Sequence, residues 1–589
     1  MLGPLIRYAR SHDLVAEPGF APKVVRWALV CDSNGRFLQV LDLAESLKGP
    51  GYTFRKCPEL SQPEIKRGGP GCRHFLADSA DVVALLADGE PDAKLLAKHA
   101  YFNGLLRQAA KAMPVLAGIA DTLDDANQLA EIQAELRARK AKTTDKVTFS
   151  VLGASPAYLV DSDLWHDWWR RFRRELGRTE ASSALARCLA SGELVEPAPT
   201  HPKIAGLSDV GGLAMGDVVA SFKQESFCSY GLTQAANAPV SEEIAAEYRA
   251  ALNHLIKEES HRLAGTKVVH WFKNRIPRED DPLDFLNDGA SEEVDAQQRA
   301  RELLAALQTG IRPDLLDNYY YVLTLSGASG RVMVRDWIEG QFEELVSNVD
   351  GWFTDLSIVR RDGTGLIRPP KFFSLLASLV RDPKDLPPSL ETRMWRVAVR
   401  GDVIPREAMS RALARLKIDI LTDQPFNHAR VGILKAFLVR QGDLSMQPNL
   451  NEDHPDPAYH CGRLMAMLAA LQYRALGDVG AGVVQRYYAA ASTTPALVLG
   501  RLVRTSHFHL DKLDRGLARW HEGRIADTFG RIRQDIPVTL SLEKQSLFAL
   551  GYYQQIAADR TRTKAAATPG MAASAGEAPD AELQETDHA

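Results

Sequence analysis

The sequence lacks features that would place it in several common classes of protein. No apolar run approaches the roughly 20 residues needed to cross a bilayer, and the first residues lack the apolar stretch of a signal peptide. Gly68-Gly69-Pro70-Gly71 is not followed by Lys and Ser or Thr, so this is not a nucleotide-binding loop of the Walker A type. These absences favour a cytoplasmic protein that does not span a membrane.

Cysteine is scarce and scattered. The six cysteines form no Cys-x-x-Cys pair, so their spacing favours neither a zinc site nor a redox dithiol. We expect them to be reduced and buried, and we predict neither a metal nor another cofactor. They are Cys31, Cys57, Cys72, Cys188, Cys228 and Cys461.

No catalytic constellation is recognisable. His166-Asp167 resembles the metal dyad of some nucleases in residue type only, because no further His or Asp ligands stand at a useful spacing. His507 and His509 would point to different sides of a helix. We therefore predict no catalytic residues and no enzyme activity. The alternative is a metal-dependent nuclease or hydrolase, whose turnover would require a divalent metal and the His166-Asp167 pair.

The net charge excludes a chain that is basic throughout. At 589 residues the sequence is long enough for several domains, with 45% apolar and 25% charged residues, a formal net charge of -4 and a pI of about 6.5. Proteins that bind nucleic acids on their own are usually basic. A nucleic-acid role would therefore depend on local basic patches or on partners.

One basic patch covers residues 486–533. It holds nine cationic residues and four acidic ones in a chain that is acidic overall, which suits a surface that follows a phosphate backbone. The same composition fits a solvated helix face crossed by salt bridges. Our candidates for DNA backbone binding are Arg486, Arg501, Arg504, Lys512, Arg515 and Arg519.

A second basic patch is a predicted loop rich in Pro and Gly over residues 63–74. Its glycines, Gly68 and Gly69, would let a partner approach the backbone closely. Lys66, Arg67 and Arg73 offer cationic donors that suit phosphates or guanine edges. The alternative is a flexible, solvated loop, which composition alone favours.

The periodicity of apolar residues predicts an α+β protein. Alternating residues on both sides of Asp32-Ser33-Asn34-Gly35 predict a β-hairpin over 24–43. Further strands are predicted over 146–152, 217–222, 266–272, 319–325 and 331–336, and helices over 91–113, 123–142, 162–177, 337–349, 371–381, 390–399 and 406–416. An acidic stretch over 277–295 is predicted to be a loop or linker.

Four regions follow from this pattern. We predict an N-terminal α+β region with hairpins (1–277), a central region of strands and helices (278–445), an all-α C-terminal bundle of about four or five helices (446–560) and a disordered tail (561–589). The bundle carries Arg and Tyr at helical spacing, residue types that hold phosphates and unstacked bases and are also common in protein interfaces. For the adjacent Tyr487 and Tyr488, packing is the favoured interpretation, because neighbours on a helix cannot both face one ligand.

Several segments, in their order and spacing, resemble one known family. They are the 27–43 hairpin, residues 226–231, 237–242, 331–335 with Trp337, 424–427, 459–464, 486–492 with Pro495, 540–545 and 551–555. Over nearly its full length the chain resembles the large subunit of the type I-C CRISPR surveillance complex (Cascade).

The resemblance implies a non-enzymatic, DNA-binding function. Members of this family recognise the protospacer-adjacent motif in target double-stranded DNA, help to open it, hold the displaced strand in the R-loop and present a surface to a helicase-nuclease. Guide pairing reads the sequence itself. The implied partners are the guide RNA (crRNA), the backbone and crRNA-handle subunits of Cascade, the small subunit and the helicase-nuclease. Arg331 and Arg335 would then meet guide RNA or neighbouring subunits, or be structural. A purely protein-binding scaffold is the remaining alternative.

The sequence departs from the family pattern at three positions. His74 and Ser79 stand where the family has Asn on either side of the Phe75-Leu76 segment, and Cys228 also replaces an Asn. We therefore assign motif contact to His74 together with Lys66, Arg67, Gly68, Gly69 and Arg73.

The family also implies that the C-terminal bundle is made separately as a small subunit from an internal start codon. Met446 precedes the predicted bundle, whereas Met465 or Met467 would delete the first turns of a helix. We predict Met446 as the start.

Overall fold

A computed structural model describes residues 1–14, 17–44, 49–177, 185–222, 224–228, 230–263, 265–287, 296–422, 427–532 and 535–567. The chain divides into two compact units. Unit 1 comprises Met1–Lys273 and Tyr321–Ile338, and unit 2 comprises Asn274–Tyr320 and Glu339–Ala589. The predicted features at Ser229, 288–295, 424–426, Arg533 and 568–589 lie outside the described residues. The predicted boundaries of the four regions stay predictions.

Most strands belong to the N-terminal half of the chain. They are β1 (Phe20–Val25), β2 (Trp27–Cys31), β3 (Phe37–Asp42), β4 (Tyr52–Pro58), β5 (Asp78–Ser79), β6 (Lys146–Val151), β7 (Ala186–Arg187), β8 (Leu194–Val195), β9 (Lys203–Ile204), β10 (Asp217–Val218), β11 (Ser260–Leu263), β12 (Thr266–Phe272), β13 (Tyr319–Ala328) and β14 (Arg331–Gln341).

The helices dominate the C-terminal half. They are α1 (Leu2–Ser11), α2 (Gln62–Arg67), α3 (Ala80–Ala84), α4 (Ala93–Ala109), α5 (Val115–Asp124), α6 (Ala126–Ala138), α7 (His166–Gly177), α8 (Glu242–Glu258), α9 (Pro282–Asn287), α10 (Ala296–Gln308), α11 (Phe342–Leu356), α12 (Phe372–Ala377), α13 (Pro388–Arg400), α14 (Arg406–Leu421), α15 (His428–Arg440), α16 (Pro457–Leu476), α17 (Val483–Ala491), α18 (Pro495–Leu510), α19 (Arg515–Arg531) and α20 (Leu542–Ala567). The α+β prediction is confirmed. Among the described helices, none combines the length and apolar character needed to cross a membrane.

The predicted hairpin lies at the edge of a four-stranded sheet in the order β3-β2-β6-β5. β2 and β3 pair antiparallel, with Ala28 opposite Leu41, which confirms the prediction. The Asp32 carboxylate closes the turn by accepting hydrogen bonds from the backbone N–H groups of Asn34 and Arg36. Helices α3 to α7 supply the rest of this core around buried residues of β2 and β6.

A second sheet of unit 1 runs in the order β11-β12-β13-β14-β10-β9. On one face, Trp271 of β12 packs against Tyr321 of β13 with ring centroids 5.4 Å apart, and Tyr321 stacks on Trp337 of β14 at 5.8 Å. Because Trp337 belongs to this aromatic cluster, β14 continues through Gln341 and α11 begins only at Phe342. The predicted helix over 337–349 was therefore wrong in its first turn.

Other predicted boundaries also shifted. The expected helix over 123–142 is α5 followed by α6, because the Asp125 carboxylate caps a new helix by accepting from the N–H groups of Asn127 and Gln128. The acidic stretch predicted as a loop contains α9. Helix α15 went unpredicted, because it is buried on nearly all sides and shows no amphipathic period.

In unit 2, α16 and α20 pack at very close range through two glycines. A Cβ atom at Gly462 would lie 1.9 Å from the carbonyl oxygen of Phe548, and one at Gly551 would lie 2.1 Å from that of Tyr459. Since no side chain fits in either place, the two helix backbones meet directly.

Buried hydrogen bonds lie next to this contact. The Tyr459 hydroxyl donates to Gln554 Oε1 at 2.5 Å and accepts from the N–H of Asn451 at 3.2 Å. Arg463 Nε donates to Gln555 Oε1 at 2.9 Å. These side chains are all but inaccessible to solvent, with the exception of Asn451. Because a buried polar group without a partner is costly, the network favours one register of the two helices.

The Arg- and Tyr-rich segments of the bundle are therefore mostly interior. Tyr459, Arg463, Tyr552 and Tyr553 are buried and cannot present a gripping surface. Tyr488 is also fully buried, with its ring against Phe548 and Tyr552, which confirms packing as its role. The sequence alone did not decide whether these residues pack inside the bundle or bind a ligand, because both kinds of site use the same residue types.

Replacing Gly551 with Ala is expected to lower the free energy of unfolding by about 3 kcal/mol, because the new methyl group would be forced against the Tyr459 carbonyl. The control is Gly523→Ala in α19, where a Cβ meets nothing within 4 Å; it is expected to leave stability unchanged or raise it by about 0.5 kcal/mol. Urea unfolding followed by circular dichroism measures both. Equal stability of the two variants would show that the close helix contact is absent.

Candidate nucleic-acid interface

The first part of the predicted basic loop is a helix. Residues 62–67 form α2, because Ser61 and Glu64 make a capping box and a proline occupies the first turn. Lys66 and Arg67 lie in its last turn and are exposed. The loop proper begins at Gly68, so the two cations project from a short helix instead of a flexible connection.

The glycines of this segment serve two different purposes. A Cβ at Gly68 would lie 2.3 Å from Cys72 Sγ, and one at Gly71 would lie 2.6 Å from the carbonyl oxygen of Ala97 in α4. These two glycines permit packing within the protein. Gly69 has a φ of +86° and nothing within 4 Å of its Cβ position. Only Gly69 offers open backbone to a partner.

The end of the segment is firmly anchored. Cys72 is buried, and its thiol lies 3.4 Å from the Tyr101 hydroxyl. Phe75 is fully buried, with its ring centroid 5.6 Å from that of Trp165 and 4.9 Å from that of Trp168. Leu76 adopts a φ of +58°, an uncommon value for a non-glycine residue that its fully buried side chain maintains. The segment is therefore held in one conformation at its C-terminal end.

His74 lies inside this anchored part. Its Nδ1 accepts a hydrogen bond from the N–H of Leu60 at 3.1 Å, and its own N–H donates to Asp78 Oδ2 at 3.2 Å. Burial, and then the nearby charges of Lys23 and Lys146, lower the pKa of His74 well below its usual value. The ring is neutral at pH 7 and its Nδ1 is occupied, so Nε2 is its hydrogen-bond donor.

Arg73 has a local partner. Its Nη1 donates to the carbonyl of Cys72 at 2.8 Å, and its side chain is partly buried. Among the predicted motif residues, the structure thus separates the exposed Lys66 and Arg67 from the constrained Arg73 and His74.

Two lysines near His74 were missed by sequence reasoning. Lys146 begins β6 opposite Ser79. Lys23 is buried on β1, where Nζ donates to the carbonyl of Pro58 at 2.6 Å and burial lowers its pKa to about 8. Strand pairing brings both close to the segment, a proximity that no local sequence signal indicates.

The six predicted backbone-binding cations lie on or beside three helices of unit 2. Arg486 is in α17, Arg501 and Arg504 are in α18, Lys512 follows α18, and Arg515 and Arg519 are in α19. All six side chains are exposed. Within the described part of the chain, none of them forms an ion pair or a side-chain hydrogen bond.

Other arginines of the bundle behave differently. Arg524 pairs with Asp559 and lies over the Trp520 ring, 4.5 Å from its centroid. Arg531 and Arg562 pair with Glu452 at 3.5 and 3.0 Å. The salt-bridged helix face considered above therefore describes these arginines, and the six candidates are distinct from them.

His166 and Asp167 occupy different environments. His166 is buried, 3.0 Å from Asp163 and edge-on to Phe20, whereas Asp167 is almost fully exposed and pairs with Arg170 at 2.7 Å. His166 Nδ1 and the Asp167 carboxylate therefore each lie beside a different partner.

A family model described as CRISPR-associated protein (Cas_Csd1) matches residues 6–559 of the chain. The chain belongs to this family. No curated protein matches it. Membership in Cas_Csd1 indicates a CRISPR-associated subunit of Cascade that works in a complex with other Cas proteins and RNA.

In this Cas_Csd1 protein, the segments that carried the resemblance have different environments. Residues 459–464 and 551–555 are interior, as described above. By contrast, Phe227 and Tyr230 of the 226–231 segment are exposed, and the Arg331 guanidinium lies 5.4 Å from the Phe227 ring centroid. Arg335 Nε donates to Ser326 Oγ at 2.7 Å. The family pattern therefore combines residues that hold the fold with residues on the surface.

The neutral state of His74 predicts a pH dependence of stability. Its pKa in the folded chain lies below that in the unfolded chain, about 6.5, so the unfolded state binds the proton first as pH falls. The free energy of unfolding should therefore decrease below about pH 6.5. Urea unfolding at pH 7.5 and pH 5.5 measures this, and His74→Asn should reduce the decrease.

The matched control for this experiment is His507→Asn, at an exposed position of α18. It is expected to leave the pH dependence as in the wild type. An identical decrease in the His74 variant would contradict the assignment.

Proposed function

We propose that this Cas_Csd1 protein is the non-catalytic, DNA-binding large subunit of a cytoplasmic type I-C Cascade. It recognises the protospacer-adjacent motif in target double-stranded DNA, stabilises the R-loop and provides a platform for the helicase-nuclease. Its partners are the crRNA, the backbone and crRNA-handle subunits and the small subunit. The matching family model supports the Cascade assignment, and the exposed cations support binding to nucleic acid. The subtype, the platform and the specific partners are those that the resemblance implies.

The observation that carries the proposal is the set of six exposed cations in α17–α19. In a chain with more acidic than basic residues, Arg524, Arg531 and Arg562 are paired with carboxylates of the same unit. These six cations have no partner among the described residues. Cations left unpaired in this way suit an external polyanion, whose condensed counterions they would release on binding.

A second observation concerns motif recognition. Lys66 and Arg67 are exposed at the end of a capped helix, Gly69 leaves the backbone open, and the following residues are anchored in the core. Because the anchored segment is ordered before binding, a duplex would meet donors that are already in place. This arrangement supports the assignment of motif reading to residues 66–74.

The variant Lys66→Ala/Arg67→Ala/Arg73→Ala tests motif reading in the assembled guide-RNA complex. Binding is measured to a matched duplex with an intact or a scrambled flanking motif, at one fixed salt concentration. We expect the affinity advantage of the intact motif to fall by about tenfold or more, since each good base contact contributes about 1–3 kcal/mol of discrimination.

The control removes the same charge elsewhere in unit 1, with Lys94→Ala/Lys98→Ala/Lys111→Ala in and after α4. It should weaken binding to both duplexes alike or not at all. Undiminished discrimination by the first variant would assign motif reading to another element or another subunit. A further variant replaces the six bundle cations with Ala. If it changes neither the affinity for DNA nor the salt dependence of that affinity, the chain is a protein-binding scaffold instead.

We further propose that the bundle is also made separately from Met446. The segment before α16 is part of the bundle: Gln554 Nε2 donates to the carbonyl of Gln447 at 2.7 Å, Glu452 pairs with Arg562, and Asp456 caps α16. A start at Met446 keeps these contacts. A start at Met465 would remove them together with Gly462.

Replacing the Met446 codon with a leucine codon that is not a start codon is expected to abolish a separate C-terminal fragment while the full chain is still made. Immunoblotting with a C-terminal tag measures the fragment. Met465→Leu is the control and should leave the fragment unchanged. Persistence of the fragment in the Met446 variant, or its loss in the control, would contradict this start site.

A further inference from the structure

Helix α18 exposes a large aromatic side chain. Phe508 has 71% of its surface accessible, which is unusual for a phenylalanine. The opposite face is buried through Val498, Leu502, Ser506 and Leu510, which recur every four residues. Packing within unit 2 therefore does not explain why a phenylalanine occupies position 508.

Phe508 stands in line with the unpaired cations. Arg504 precedes it by four residues and Arg501 by seven, so the three share one face of the helix. Arg504 and Phe508 are about 6 Å apart along the axis, from the rise of 1.5 Å per residue. Lys512 continues the row just beyond the helix end. Helix α18 contains no acidic residue, so this face favours a polyanion.

The Phe508 ring places a requirement on the ligand that the cations do not: the ligand must offer an unstacked base. Phosphate contacts alone hold duplexes and single strands alike. A phenylalanine has no hydrogen-bonding group, and its face stacks on a nucleobase only where that base is free of its neighbours. Cations interleaved with an exposed aromatic ring are the chemistry of sites that bind single strands without sequence preference.

We propose that Phe508 is a base-stacking platform and that the row Arg501, Arg504, Phe508 and Lys512 binds single-stranded nucleic acid in preference to duplex. This inference rests on the proposed DNA-binding function and specifies its ligand. The cations hold successive phosphates, and the ring selects a strand whose bases are unstacked.

The test uses the purified full-length chain and three probes of equal length: an oligothymidine strand, an abasic strand that keeps the phosphates but lacks bases, and a duplex. Phe508→Ala should weaken binding of the oligothymidine about tenfold and change binding of the abasic strand and the duplex less than twofold. Arg501→Gln/Arg504→Gln should weaken all three and lower the salt dependence. Fluorescence anisotropy measures each affinity.

Two further variants control for structure and aromatic character. Tyr473→Ala removes a similarly exposed ring from α16 that has no cation at helical spacing, and should leave all affinities unchanged. Phe508→Trp keeps a stacking surface and should retain the preference for bases over abasic sites.

The possible outcomes separate this inference from the proposed function. If Phe508→Ala has no effect, or weakens the abasic strand as much as the oligothymidine, the ring does not stack on bases and the inference is wrong, while cation-dependent binding still stands. If the arginine variant also has no effect, the DNA-binding function of this face fails. If Phe508→Ala loses assembly with other subunits but keeps every nucleic-acid affinity, Phe508 makes a protein contact and the inference is overturned.

Discussion

The direct backbone contact between α16 and α20 sets the geometry of the C-terminal half. Gly462 and Gly551 admit no side chain, and the Tyr459–Gln554 and Arg463–Gln555 hydrogen bonds favour a single register. Helices α17, α18 and α19 pack against α16 or against each other, so their outward faces depend on this pair. The unpaired cations lie on these outward faces, where they stay hydrated, because a buried charge without a partner is costly.

Arginine has two separate uses in unit 2. Arg463, Arg524 and Arg531 bind segments of the chain to one another through Gln555, Asp559 and Glu452. The cations of α17 and α18 have no such partner among the described residues and no acidic residue within their own helices. The local charge of the sequence does not distinguish these two uses, because an arginine that stabilises the fold and an arginine that binds a ligand are the same residue type.

The sequence predicted those parts of the fold that local patterns determine. Alternation around Asp32 predicted the hairpin, and helical periodicity predicted most helices. The capping box at Ser61 and Glu64 is a helix signal that the prediction of a loop over 63–74, based on Pro and Gly content, did not take into account. Burial of Tyr459, the anchoring of Phe75 and the approach of Lys146 depend on contacts between distant segments. Local sequence carries no signal for these contacts. Only the structure therefore shows which residues of each candidate site are exposed.

The division of residues 66–78 into anchors and solvent-facing positions has an evolutionary consequence. Phe75 and Leu76 are bound in the core, whereas the side chains of Lys66 and Arg67 are exposed and the Cβ position of Gly69 is open. Exposed positions tolerate substitution at little cost in stability. Descendants of this chain can therefore diversify the chemistry of the surface residue by residue, without first acquiring compensating mutations in the core.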